Sequence, residues 1–137
     1  CRPLEDAGMP FVPEALAVSG HTREEVLTFQ NPETTMREFA EWIAANSKGR
    51  PIFWADNNGF DWAYINYYFH RFYGSNPFGF SSQNINSLYK GITRDLFGSF
   101  KHLRKTRHSH HPVDDAMGNA EALLAMRDKK NLKITVD

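Results

Sequence analysis

The sequence predicts an α/β fold built around an open sheet. Two observations carry that expectation. Pro51 to Ala55, PIFWA, is an apolar run of strand length set between segments with helical spacing. Segments of the two kinds then alternate along the chain, ending in a long helical pattern from Pro112 to Arg127. A third observation qualifies the class. Beyond PIFWA, only residues 84 to 88 and the tail NLKITVD suggest strands, fewer than an open α/β sheet usually holds. The helices have too little sheet to cover, so strands are expected to be missing ahead of Cys1.

Residues 1 to 20, CRPLEDAGMPFVPEALAVSG, read as a loop rich in Pro and Gly. A helix is expected from Thr22, because Thr22 and Glu25 form a capping-box pattern ahead of Val26, Leu27 and Phe29. Asn31 caps a second helix, with Pro32 at its first position. Met36, Phe39, Ala40 and Ile43 fall on one face of it, and Gly49 closes it. After PIFWA, an aromatic-rich helix spans Gly59 to Tyr73 and stops at Gly74. Leu88 to Phe97 is expected to be helical, and Lys101 to His111 polar and basic. In the last helix Ala116, Ala120, Leu123 and Leu124 share an apolar face. No repeat, low-complexity segment or linker interrupts residues 1 to 137, which read as a single domain.

Composition narrows the function classes. Aromatics make up 14% of the chain, which excludes a disordered segment. Formal net charge is zero, so any nucleic-acid binding must use a local patch. No apolar run reaches membrane-spanning length. The single cysteine, Cys1, cannot form an internal disulfide, which suits a reducing, cytoplasmic setting.

Two segments could carry chemistry. In ADNNGFDWAYI, a buried strand ends and Asp61 enters the first turn of a helix, at the strand end where α/β folds place ligands. Its structural alternative is an acid that simply suits the helix dipole. In RHSHHPVDDAMGNAEALL, His110 and Asp115 stand as H-x4-D across a helix start. A carboxylate there suits a hard divalent cation, and an imidazole beside it suits proton abstraction from water. Asp114 and Pro112 serve equally as helix-start residues. His102, His108, His110 and His111 invite a zinc reading, but they lack a cysteine partner and fit no finger spacing.

Taken together, N-x-x-F-D from Asn57 to Asp61 and H-x4-D-A from His110 to Ala116 resemble the second and third motifs of the DEDDh, or DnaQ-like, 3′–5′ exonucleases. The likeness runs from about Arg2 to Met126. It implies a ribonuclease-H-like fold and two-metal hydrolysis of nucleic acid to nucleoside 5′-monophosphates, with Mg²⁺ or Mn²⁺ as cofactor. Asp61 and Asp115 match the metal aspartates, and His110 the general base. Asn57 and Phe60 match the residues that shape the second-motif turn. The partner implied is the 3′ end of single-stranded RNA or DNA, and many relatives are homodimers.

One part of the family pattern is not in these residues. The first motif, D-x-E, supplies two further acids and occurs nowhere in the chain. NPETT, Asn31 to Thr35, imitates it, but its Asn-Pro pair starts a helix. Two acids should hold two cations poorly, so the 137 residues alone are expected to be inactive. A non-catalytic nucleic-acid-binding or polymerase-associated module is the alternative, and a zinc-binding structural domain a weaker third reading. Lys101, Arg104, Lys105 and Arg107 form a basic run ahead of His110, of which Lys105 and Arg107 are the phosphate-binding candidates. Trp62 or Phe78 is a candidate to stack on a terminal base.

Overall fold

The computed structural model describes residues 1–4 and 11–134. Six α-helices and two β-strands are defined among them. They are α1 (Pro13–Ala17), α2 (Arg23–Leu27), α3 (Pro32–Asn46), β1 (Phe53–Ala55), α4 (Asn58–Phe72), β2 (Ser82–Asn84), α5 (Ile85–Thr93) and α6 (Pro112–Lys130), with a 3-10 turn at Phe100–Leu103 before α6. The class is mixed α/β with a small parallel sheet. No helix among the described residues is long and apolar enough to cross a membrane.

Local signals set most helix starts. Thr22 and Glu25 exchange both bonds of a capping box at α2. Asn31 accepts the Glu33 N–H at 2.8 Å, and Pro32 opens α3, so NPETT is a helix start. The segment read as a Pro-rich loop contains α1, because Pro13 falls at the first position of a helix, where its missing N–H costs nothing. That helix buries no residue.

The second strand lies earlier than expected. Ser82–Asn84 pairs in parallel with β1, in the register Phe53–Ser82, Trp54–Gln83, Ala55–Asn84. Ile85, expected in a strand, begins α5 instead. The cause is Asn84, whose Oδ1 accepts the Ser87 N–H at 2.7 Å and caps the helix. Its Nδ2 donates to the Asp56 carbonyl at 2.8 Å, fastening β2 to the end of β1. Arg94 adopts a left-handed backbone (φ 57°) and closes α5 at Thr93, four residues before Phe97. The tail forms no strand through Ile134, because Asn131 (φ 52°) turns the chain at the end of α6. Thr135 to Asp137 of that expected strand lie outside the described residues.

Successive residues of β1 point to opposite faces, and this builds two cores. Phe53 packs with Met36, Ala40, Ile43, Phe69 and Phe78, the cluster of α3 and α4. Trp54 packs with Ile85, Phe100, Ala122 and Met126, the cluster of α5, α6 and the 3-10 turn. The sheet thus lies between two helical layers. On α3, Met36, Ala40 and Ile43 are buried as expected, and Phe39 stacks on Phe69 at 5.4 Å. On α6 the buried residues are Gly118, Ala122 and Met126. The expected face is different: Ala116 and Ala120 are exposed, and together with Leu123 they border a groove. Gly118 lets α6 approach the preceding loop, since a Cβ there would stand 3.1 Å from the Thr106 carbonyl and 3.2 Å from Arg104 Cδ.

Candidate active site

One edge of β1 is taken by β2. Along the open edge, among the described residues, runs a groove of about 870 Å³. Its floor and walls come from β1, α3, α4 and α6, and its polar residues include Asp61, His110, Asp115 and Asn119. Two segments far apart in sequence therefore reach the same groove.

Each aspartate owes its place to a helix start. β1 ends at Ala55, and the chain turns through Asp56 and Asn57 into α4. The Asn57 carbonyl accepts the N–H groups of Phe60 and Asp61 at 2.9 and 3.2 Å, closing the first turn. Asn57 makes no side-chain cap bond. Asp115 follows Pro112, the first residue of α6, and its N–H reaches the His111 carbonyl at 3.0 Å. Both carboxylates stand in the fourth position of their helices, where the N-terminal dipole favours negative charge.

The electrostatics of the two differ. Burial pushes the Asp61 carboxyl above its usual range, and the neighbouring Asp56 carboxylate pushes it further. Among the described residues no lysine or arginine pairs with Asp61. Asp115 is engaged on several sides: His108 Nδ1 lies 2.6 Å from its Oδ1, and the Ser109 N–H donates to the same oxygen at 3.3 Å. His110 takes a left-handed backbone (φ 62°), uncommon for a residue that carries a side chain. Here the loop is tied down by Ser109, whose Oγ donates to Asp114 Oδ2 at 2.7 Å and accepts the His111 N–H at 3.3 Å.

Several expected residues lie elsewhere. Phe78 is buried in the α3–α4 cluster and Trp62 packs against it, so neither is displayed to a base. The exposed aromatics at the groove are Phe60 and Tyr64, one helical turn apart with ring centroids at 4.9 Å. Lys105 and Arg107 are exposed but do not border the groove. The zinc tetrad does not assemble. His102 bonds the Ser99 carbonyl and stands beside Tyr89, and only His108 and His110 come together, with Asp115.

Arg104, expected within a basic phosphate-binding run, is an internal clamp. Its side chain is 7% exposed and lies over the Phe100 ring. Its NH2 donates to Asp56 Oδ2 at 3.2 Å and to Asn119 Oδ1. Asp56 leads into the Asp61 turn, and Asn119 lies one turn beyond Asp115. Arg104 thus joins the two segments that carry the acids. Glu121 adds a second tie, accepting the backbone N–H groups of Thr106 and Lys105 and the Thr106 hydroxyl. Asp56 and Asn119, and the inward role of Arg104, are not legible in the sequence because nothing local marks them; the Asp-Asn-Asn turn and the spacing of Asn119 from Asp115 are the only traces.

Comparison with known proteins bears on what this groove does. Residues 17–126 match the family described as the 3′–5′ exoribonuclease Rv2179c-like domain. The chain is also 37% identical over 93 residues to the 3′–5′ DNA exonuclease Cap18 of Escherichia coli, an alignment covering 66% of this chain. The chain spans half the length of that curated relative.

Proposed function

Because the chain belongs to the Rv2179c-like 3′–5′ exoribonuclease family, among the DnaQ-like 3′–5′ exonucleases, we propose that its groove serves metal-dependent removal of nucleotides from 3′ ends. The observation that carries this reading is the meeting of Asp61, His110 and Asp115 in one groove at the open edge of β1. The ribonuclease-H-like fold belongs to the same proposal, supported by the parallel β1–β2 pair and by helices on both faces.

The donor set fits a divalent cation. Asp61 is a partly desolvated carboxylate beside a second acid, an arrangement that a bound cation would relieve. Asp61 and Asp115 would hold Mg²⁺ or Mn²⁺, which, when bound, offsets charge on the phosphate and lowers the pKa of an attacking water. His110 would accept the proton of that water. Phe60 and Tyr64 offer ring faces on which a terminal base can stack, and Asn57 shapes the turn that presents Asp61. Lys105 and Arg107 lie further out and would draw in the phosphate backbone electrostatically. The further carboxylates that two cations require would be carried by a strand pairing with β1, whose open edge lies directly beside the groove.

The test uses the polypeptide as its native cell produces it, with 5′-labelled single strands of RNA and of DNA and added Mn²⁺. Stepwise shortening from the 3′ end is expected, falling by several hundredfold or more in Asp115→Asn. The alternative reading is a module that binds nucleic acid without cutting it. Binding of the strands with no shortening in any metal would favour that module and refute the nuclease.

A further inference from the structure

Three ligand-type side chains converge where the basic loop runs into α6. One donor atom from each of His108, His110 and Asp115 lies within 4.8 Å of the other two. The imidazoles stand edge to face with centroids 4.4 Å apart. The loop is already cinched to the helix through Ser109, Asp114 and Asp115, so the histidines are held near each other before any ligand arrives. Asp61 is not part of this cluster.

We propose that His108, His110 and Asp115 form a binding site for an imidazole-preferring divalent cation, Zn²⁺ foremost. Two ring nitrogens and one carboxylate oxygen make a poor set for Mg²⁺, which demands oxygen ligands in near-octahedral order. They suit zinc, which binds His nitrogen and Asp oxygen in three-ligand sites with a fourth position left open. Zinc–ligand bonds of about 2.1 Å in a tetrahedron separate the donors by roughly 3.4 Å. The widest donor spacing here must contract, and the 2.6 Å contact of His108 with Asp115 must open slightly. Both are side-chain rotations. His108 and Asp115 are 46% and 26% exposed, which leaves an entry path and room for water on the metal.

The site overlaps the proposed nuclease groove without coinciding with it. Zinc held by His110 and Asp115 would withdraw both from phosphodiester hydrolysis, so the triad would act as an inhibitory metal site. That consequence rests on the proposed function; binding itself does not.

The experiment is calorimetric titration of Zn²⁺ into untagged 137-residue chain in millimolar Mg²⁺. A Cys1→Ser background removes the exposed thiol as a competing ligand. One equivalent of zinc is expected. Affinity should fall by about tenfold or more in both His108→Ala and His108→Gln, as loss of a metal-site partner does. It should be unchanged in His70→Ala, an exposed histidine on α4. Circular dichroism checks that each variant keeps its fold. Equal zinc affinity in parent and both His108 variants, or displacement of zinc by the Mg²⁺, would overturn the site. Nuclease assays of the native polypeptide then separate the two claims. Zinc binding that depends on His108 but leaves an active nuclease unaffected removes the inhibitory role. Binding with no nuclease activity in any metal counts against the proposed function and leaves the site standing.

Discussion

Replacing Arg104 with Met tests whether this residue clamps the two acid-bearing segments together. Methionine keeps much of the side chain's volume and its packing on Phe100. It loses the NH2 bonds to Asp56 and Asn119. A bond to a charged group contributes about 1.5–3 kcal/mol net. Asp56 is 31% exposed and keeps Lys101 at 3.9 Å, so the lower end applies to each bond. Met also removes the buried Arg104 Nε, which has no partner among the described residues, and relieving that group returns about 1 kcal/mol. The expected loss is therefore about 2 kcal/mol. For a chain of this size that lowers Tm by roughly 6–10 °C. Thermal unfolding followed by circular dichroism gives the value, and Asp56→Asn with the double variant completes a cycle. Coupling of about 0.5 kcal/mol or more between positions 56 and 104 is expected. A fall in Tm below about 2 °C, or strict additivity in the cycle, would refute the clamp.

Two further outcomes follow from the acids. Asp61 has its folded pKa raised, first by burial and then by Asp56, so its ionised form opposes folding. Asp61→Asn should therefore raise Tm at neutral pH in EDTA, and the gain should vanish as pH falls below the ordinary Asp range; a fall in Tm at neutral pH would show a cationic partner instead. Glu121 has its pKa lowered, chiefly by the Thr106 N–H, so its stabilisation is present above the unfolded pKa and lost as pH falls through the folded one. Melts across acid pH should show Glu121→Gln less stable than the parent at neutral pH and converging with it as the carboxylate protonates. Parallel curves would disprove that contribution.

Much of the helical framework was legible because its signals close within one turn. The Thr22–Glu25 box, the Asn31 cap and Pro112 each act on neighbours a few residues away. The strand PIFWA was visible from its apolar run, though only Phe53–Ala55 pairs. Asn84 shows where this reasoning fails. An apolar Ile85 beside polar residues suits a strand or a helix, and the cap that decides between them also depends on a bond to Asp56, 28 positions away. The apolar face of α6 fails for a related reason. Periodicity states which residues share a side, but the layer packed behind the helix selects Gly118, Ala122 and Met126 for burial.

By itself, then, the sequence determined the chemistry available: Asp61 and Asp115 at helix starts, His110 ahead of the second, and an N-x-x-F-D turn at the end of a buried strand. These features are local, because caps, dipoles and strand ends depend on adjacent residues. Tertiary structure alone decided that the two acids line one groove, that Arg104 faces inward to join their segments, and that His108 rather than His102 or His111 stands beside His110 and Asp115. Each of those outcomes depends on where β1, α4 and α6 pack against one another, and residues distant in sequence acquire that relation only when their apolar faces share a core.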